Sequence, residues 1–563
     1  MNAAGLLGRF NAVLGTDHRL ETQGMQALLE DIRATTYDFG EAYGKVRPWW
    51  TEADVAVQGS RLYADIRARD AKRDDERKET IRRRQALQAT TQPRRIWDLY
   101  SNRVLPLSVI PCEESDSDDD VKLPHSLWAV SHSWVADEER TQVWTSINRK
   151  QWPVPLPSAA SLAHVRVELL NMGAEYVWID VLCLRQQGRA EDEALRTEEW
   201  KTDVPTIGFV YQGEPSNRPC ITYFNGLGLP LDTSPATLES SRHWFNRVWT
   251  LQESVTGWIP GGLAGFPLAG GEAFFSQVRG LVDILRKGGS TALVPGLMQR
   301  SCTTEMDRVA GLAYCMGCDS LPQYDAAAPL DTSWQLLIKT MGGVERLELF
   351  LLHFADKPFA LFPSWKEFAT GVPALEDKPN HAIFTAERLV LAQNDEVISD
   401  LPGQYYQIAE TSAPCRISID ENKDLAIRFE GERVACRVAL GEGYTGMHGV
   451  ILQGVLYTLV RLHLPLAPHG RPAREDYWVV AEVVGEKKEA AEGMQSLTDV
   501  VKWGVILACA ESLQSQAGWK TTRIMYVANE VALQRTQYRD QYMKAFEAMK
   551  AEGAKSIIME LST

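Results

Sequence analysis

The period of the apolar positions changes along the chain. Over residues 1 to about 90 it is helical. In MQALLEDIRATTYDF, Met25, Leu28, Leu29, Ile32 and Tyr37 recur at roughly the spacing of one helical face. The next stretch, DIRARDAKRDDERKETIRRRQ, is dense in charge of both signs and predicts a solvated helix laced with i,i+4 pairs. A coiled coil is the alternative, but the apolar heptad positions it needs are missing. CEESDSDDD, residues 112–120, is too charged to pack and predicts a solvated acidic loop, with two serines open to phosphorylation as a second reading.

From about residue 126 short apolar runs alternate with amphipathic ones. LWAVSHSW is an apolar run that ends in small polar residues. SLAHVRVELLNMG sets Leu162, Val165, Leu169 and Met172 on one helical face, with Gly173 suited to end the helix. EYVWIDVLCL reads as a strand buried on both faces, TEEWKTDVPTIGFVYQ as a helix disturbed at Pro205, and CITYFNGL as another strand. RHWFNRVWTLQES, residues 242–254, reads as a helix, and GWIPGGLAGF follows it. This alternation predicts a parallel sheet covered on both faces.

Beyond about residue 345, ERLVLAQ, CRISID, LAIRFEG, ERVACRVAL, GVLYTLVRL and YWVVAEVV are separated by turn residues and predict a largely antiparallel sheet. GVILQGVLYTLV, flanked by His448 and Arg461, is too short to span a bilayer and reads as core strand. LTDVVKWGVILACAESL and YRDQYMKAFEAMKAEG predict helices. The expected division is a helical region over 1–90, an α/β unit with a parallel sheet over 91–345, and a β-rich α+β domain over 346–563.

Composition narrows the picture. A chain of 563 residues is too long for one core and suggests roughly two to four domains. A net charge of −15 argues against a nucleic-acid partner and, more weakly, against docking on an anionic membrane. Seventeen tryptophans imply large aromatic cores or pockets. Nine cysteines, an odd and scattered set, together with an opening MNAAGLLGRF that lacks a secretory pattern, point to a reducing, cytoplasmic setting with free thiols.

Candidate chemistry gathers at a few positions. On a helix Trp249 and Glu253 would share one face, so the carboxylate would lie beside an indole, partly desolvated, with a raised pKa. The alternative is that Glu253 binds Arg247 or Arg242 and merely ends the helix. Ser131, His132 and Ser133 close the first strand, where open parallel sheets place ligands, so Ser131 or His132 is suited to a ribose or phosphate. A hydrogen-bonded structural role for His132 is the alternative, and no Ser–His–Asp triad is evident. Asp180, inside an apolar run, needs partners: Arg247, a serine of the first strand, or the site itself. Cys183 and Cys220 read as small core residues. CMGC, Cys315 to Cys318, lacks the second pair or spaced histidines of a metal site. GWIPGGLAG lacks the Lys-Ser/Thr of a P-loop and reads as turn.

Three of these stretches together resemble the fungal heterokaryon-incompatibility (HET) domain family over about residues 95–340. WAVSHSW carries Ser131, His132 and Trp134; YVWIDVLCLRQQ carries Trp178, Ile179, Asp180 and Cys183; RHWFNRVWTLQE carries Trp244, Arg247, Trp249, Gln252 and Glu253. MDRVAGLAYCMG is similar to a later segment, with Asp307, Arg308 and Val309. Val135 stands where the family usually has glycine, and Arg185 where it has asparagine. HET domains are in turn regarded as distant relatives of Toll/interleukin-1 receptor (TIR) domains, in whose NAD-cleaving members a glutamate four residues after a tryptophan is catalytic. Trp249 and Glu253 have that separation, while Thr250 and Arg247 replace the usual cysteine and serine.

The resemblance implies a TIR-like (flavodoxin-like) parallel sheet and an output of growth arrest or cell death. It implies NAD or a related nucleotide as substrate, with no resident cofactor or metal. Glu253 would be catalytic, and Ser131, His132, Trp134, Asp180 and Trp249 would line or support the substrate pocket. It also implies self-association as a homo-oligomer and an incompatibility partner protein. The competing reading is a non-catalytic signalling module in which the same segment is an assembly surface. A third is ligand binding by the C-terminal region, with the α/β unit as scaffold.

Overall fold

The computed structural model describes residues 2–51, 54–55, 61–83, 86–111, 122–213, 218–263, 271–287, 296–318, 320–341, 349–350, 361–370, 404–440, 447–461, 475–487, 497–509, 513, 519–527, 534–554 and 556–561. The acidic stretch 112–120 and the ERLVLAQ run lie outside them. The architecture is mixed α/β. It divides into one compact unit of Met1–Arg286 with Gly296–Met341 and a second of Lys287–Pro295 with Gly342–Thr563.

The first unit is built on a six-stranded sheet. Its spatial order is Arg103–Pro106, Arg95–Asp98, Tyr176–Trp178, Leu127–His132, Cys220–Tyr223, Trp258–Pro260. The last four are parallel to one another, and Arg95–Asp98 and Arg103–Pro106 form an antiparallel margin. Numbered by their place in the chain, the four parallel strands run 2-1-3-4. The connections therefore reverse direction at Leu127–His132, the strand that ends in Ser131 and His132. Such a reversal opens a crevice at the carboxyl ends of the strands. Leu127, Ala129 and Val130 are buried, as expected of a strand covered on both faces.

Helices surround this sheet. Met25–Arg33 buries Met25, Leu28, Leu29 and Ile32, while Tyr37 falls beyond its end. The charged stretch forms the helix Leu62–Arg83, with exposed i,i+3 and i,i+4 pairs such as Lys78–Asp75 and Lys72–Glu76. Leu162–Asn171 buries Leu162, Val165 and Leu169 and is followed by Gly173 at φ +96°. Around Pro205 the backbone breaks between the helices Glu193–Asp203 and Ile207–Gln212. GWIPGGLAG, expected to be turn, instead supplies the strand Trp258–Pro260, and its last residues lie outside the described ones. Beyond the strand Gly262 sits at φ +71°, and a Cβ there would lie 2.1 Å from the Leu229 carbonyl oxygen. Only glycine fits so close an approach.

The region expected to be helical over 1–90 belongs to this same unit. Ion pairs Arg103–Asp38 (2.8 Å) and Arg47–Asp98 (3.3 Å) tie it to the sheet margin. A buried lattice does the same for Leu62–Arg83. Asp203 holds Arg94 at 2.9 Å and Arg77 at 3.8 Å, and Arg95 and Arg185 share Glu199. Among the described residues no helix is long and apolar enough to cross a membrane.

Two further expectations in this unit fail. EYVWIDVLCL is strand only over Tyr176–Trp178, and Asp180–Cys183 forms a short helical turn. Within that turn the Asp180 carboxylate accepts from the Val181 amide at 2.6 Å, a local bond that competes with strand pairing. RHWFNRVWTLQES is not a continuous helix. It makes two 3₁₀ turns, Trp244–Asn246 and Trp249–Leu251, with Arg247 extended between them. Tertiary bonds compete for its backbone. Thr250 Oγ1 donates to the carbonyls of Trp244 (2.6 Å) and Arg247 (2.7 Å), and Arg300 donates to the Arg247 carbonyl at 2.8 Å.

The second unit holds a seven-stranded mixed sheet, ordered Glu475–Lys487, Thr458–Arg461, Gln404–Thr411, Lys520–Val527, Leu497–Cys509, Met447–Gln453, Ser556–Glu560. Glu475–Lys487 also pairs with Leu497–Cys509, so the first five close into a ring. Most pairings are antiparallel; Met447–Gln453 with Ser556–Glu560, and Leu497–Cys509 with Lys520–Val527, are parallel. GVILQGVLYTLV supplies two strands rather than one, ending at Gln453 and resuming at Thr458. A separate antiparallel sheet joins Cys415–Ile419, Leu425–Phe429 and Cys436–Val438. Arg539–Glu552 is helical as expected. LTDVVKWGVILACAESL is not: Leu497–Cys509 is strand. Thr498 through Ile506 are buried without a break. The strand is covered on both faces, and the alternation that would have distinguished it from a helix is lost.

Candidate functional site

The carboxyl end of the Leu127–His132 strand gathers four of the residues singled out from the sequence. Successive residues of a strand leave on opposite faces, so Ser131 and His132 address different partners. Ser131, 1% exposed, donates its hydroxyl to Glu253 Oε2 and accepts from the Trp244 indole N–H at 2.7 Å. His132 Nε2 lies 2.7 Å from Asp180 Oδ1, and its Nδ1 lies 3.1 Å from the Ser133 carbonyl oxygen. Both ring nitrogens of His132 therefore face acceptors. Only the imidazolium, with two N–H groups, satisfies both.

The electrostatics agree with that geometry. Burial opposes the cationic form of His132, but the Asp180 charge and hydrogen bond outweigh it and hold the pKa above the ordinary histidine value. Glu253 moves the other way. Burial pushes its carboxyl up to about 7, against the lowering effect of the Ser131 hydroxyl; Asp180 adds to the rise, and His132 and Arg247 offset part of it. Asp180 and His132 both act on Glu253 through space, so the two hydrogen-bonded pairs form one electrostatic neighbourhood.

Glu253 is crowded by protein atoms yet keeps an intermediate share of its surface in contact with solvent. Among the described residues it makes no ion pair, and its hydrogen-bond partner is Ser131. Arg247 and Arg242, the partners expected if Glu253 only ended a helix, do not pair with it. The Arg247 guanidinium is itself disfavoured by burial and by the like charge of Arg242. Asp180 orients His132 rather than Arg247 and keeps 24% of its side chain exposed.

The aromatic candidates are less convergent. The Trp134 ring lies 5.6 Å from His132 and carries the Arg140 guanidinium at 5.0 Å. Trp249 is half-buried, with Tyr324 at 6.3 Å as its ring neighbour. The helical spacing that would set Trp249 beside Glu253 is absent, because the 3₁₀ turn stops at Leu251.

Several neighbours escaped the sequence reading as site residues. Trp244 was part of a motif, but nothing in its spacing announced a bond to Ser131. Tyr211 donates to the Val130 carbonyl at 3.1 Å; burial first and then the Glu253 charge raise its pKa well above the ordinary value. Arg300 lies in no motif, yet it braces the Glu253 turn through Arg247 and Thr250, both at 2.8 Å. Burial pushes its pKa down to about 10. Gln252, 1% exposed, has neither side-chain amide atom hydrogen-bonded among the described residues.

Chemically, the cluster offers an acid that is partly ionised near neutrality, an imidazolium fixed by a carboxylate, and a hydroxyl held between an N–H and the acid. Among the described residues no group of three or more His, Cys, Asp or Glu is placed to hold a metal ion. No protein-family model, no characterised protein and no solved structure matches the chain.

Proposed function

We propose that the first unit is a HET-type, TIR-like domain, related to the flavodoxin-like order of strands, which cleaves NAD to nicotinamide and ADP-ribose. It would act as a cytoplasmic effector of incompatibility or immune cell death, through self-association and an incompatibility partner. The observation that carries the reading is the state of Glu253: a carboxylate without an ion pair among the described residues, crowded but not sealed, with burial pushing its pKa up to about 7. The four-strand order with its reversal at Ser131 and His132 supports the fold assignment.

In this reading the bond from ribose C1′ to the nicotinamide nitrogen breaks with its electron pair leaving on nitrogen. Nicotinamide departs neutral and needs no proton. Positive charge develops on the ribose, and the Glu253 carboxylate stabilises it. Water then bonds to C1′ and loses a proton. Glu253 stands ready to accept it, having a pKa matched to neutral pH. The His132 charge is suited to a phosphate of the substrate, with Asp180 holding the ring. Ser131 holds Glu253 in place, and Trp134 and Trp249 are the aromatic residues available to line the ribose or base.

A second reading has an observation of its own. The bonds from Trp244 to Ser131 and from Ser131 to Glu253 tie the 242–254 segment to the central strand, as a purely architectural clasp would. There the unit is a non-catalytic assembly module. Incubation of purified protein with NAD at several protein concentrations separates the two. Nicotinamide release that grows faster than protein concentration supports the self-associating hydrolase, and no release at any concentration supports the module.

A further inference from the structure

A cavity of about 290 Å³ opens elsewhere in the first unit, and Ser131, His132, Asp180 and Glu253 take no part in its walls. It is bounded by the Phe39–Val46 and Leu62–Arg83 helices, the margin strands Arg95–Asp98 and Arg103–Pro106, and the turn 148–152. Six basic side chains line it: Lys45, Arg73, Arg77, Arg94, Arg95 and Arg149. They face three carboxylates of the walls, Glu41, Asp70 and Asp74, while Asp203 and Glu199, outside the walls, pair with Arg77, Arg94 and Arg95.

Part of the basic charge is held only loosely. Arg77 and Arg94 are engaged by Asp74 and Asp203, Arg95 by Glu199, and Arg149 by Glu41. Arg73 and Lys45 make no close ion pair among the described residues, although the Asp70 carboxyl, bonded to Ser108, is near enough for the charges of both to act on it. Arg73 donates to the neutral Gln92 Oε1 at 2.7 Å, and the Lys45 ammonium rests 3.7 Å from the Tyr37 ring centroid. Two wall residues each also carry a buried polar atom with no partner among the described residues. Asn148, 3% exposed, donates Nδ2 to the Trp152 carbonyl at 2.7 Å, which fixes its amide and leaves Oδ1 as an acceptor with no partner. Arg95 donates Nη2 to Glu199 at 2.6 Å and leaves Nη1 without one. Buried polar atoms left unsatisfied are uncommon and costly. The turn that carries Asn148 is also strained, with Arg149 at φ +57° and Lys150 at φ +53°.

The complement of these features is one ligand class. Guanidinium and ammonium groups ask for a phosphate, and a fixed amide oxygen asks for a hydroxyl donor. The volume is at the low end of small-molecule sites, which begin at roughly 300 Å³, and is small for a dinucleotide. We infer that this cleft binds a phosphorylated sugar, with the phosphate at Arg73 and Lys45 and a sugar hydroxyl at Asn148. The inference stands independently of NAD cleavage.

Titration calorimetry with ribose 5-phosphate tests it, in the Glu253→Gln chain so that no reaction at the other site contributes heat. Saturable binding is expected for ribose 5-phosphate and none for ribose. Arg73→Glu is expected to weaken binding by about tenfold or more, the loss of one charge-assisted contact plus repulsion. Lys78→Glu, on the same helix with its side chain 71% exposed, is expected to leave binding unchanged. Arg73→Gln gives a milder variant with its fold checked by circular dichroism, and raising salt on the otherwise unaltered chain is expected to weaken binding. No saturable binding overturns the inference. So do equal binding of ribose, salt-independent binding, or full affinity in a folded Arg73 variant.

Discussion

Ser131 and Glu253, 122 positions apart in sequence, share a hydrogen bond in which the hydroxyl is the donor. The Trp244 N–H occupies a lone pair of the Ser131 oxygen, and the hydroxyl proton goes to Glu253. The place of Glu253 is thus set by the central strand rather than by a helix of its own. Ser131→Ala removes the interaction that lowers the Glu253 pKa, which is expected to rise above about 7. It also leaves the Trp244 N–H buried and unpaired, at a cost of about 1–3 kcal/mol. Thermal unfolding and an infrared titration of the Glu253 carboxyl read the two effects separately.

Glu253 makes stability depend on pH in a definite direction. Its folded pKa, about 7, lies above its ordinary value of 4.5. Below 4.5 both states hold the proton and nothing is lost. Between 4.5 and 7 the unfolded chain releases the proton first, so stability falls as pH rises, by on the order of 3 kcal/mol in all. Glu253→Gln is expected to raise Tm at pH 8 and to leave it little changed at pH 4. A stability gap that is the same at both pH values would contradict the burial argument.

His132 follows the opposite arithmetic. Its folded pKa is raised, so the stability it contributes is complete below the unfolded histidine value and is lost as pH rises through the folded one. Asp180→Asn removes the charge that offsets burial. The His132 pKa should then fall below the ordinary value of 6.5, which imidazole proton shifts report directly. An unmoved titration would mean that the Asp180 contact does not hold the imidazolium.

Asp203 anchors the Leu62–Arg83 helix. Burial alone would raise its pKa, but Arg94 and Arg77 outweigh that and lower it. Its contribution is present above the unfolded carboxylate value and fades as pH falls through the depressed folded value. Asp203→Asn leaves two largely buried guanidiniums short of a counter-charge and should cost about 3 kcal/mol at pH 7. The difference from the unaltered chain should shrink below about pH 4. Urea unfolding at the two pH values measures it.

Much of the fold is written in local pattern. Met25, Leu28, Leu29 and Ile32 announce their helix, and Pro205 announces a break, because those signals are local. Leu497–Cys509 misleads because Asp499 and Lys502, both buried, interrupt the apolar run at helical spacing inside a strand covered on both faces. The 242–254 segment misleads for another reason. Its helical period is real, but Arg300 and Thr250 take carbonyls that a helix would use, and Arg300 lies outside every motif. The candidate site was legible residue by residue. Its pairings, Ser131 with Glu253 and His132 with Asp180, were not, since they join segments far apart in the chain.

The release of nicotinamide from NAD as a function of pH, by the unaltered chain and by Glu253→Gln under identical conditions, tests the central claim most directly. The unaltered chain should show a rate that rises with one ionisation near pH 7, because the carboxylate is the active form. The Gln variant, still folded, should be slower by about 100-fold or more across the range. Equal rates in the two chains, or a rate that does not respond to pH between 5 and 9, would show that the Glu253 carboxylate does not carry the reaction.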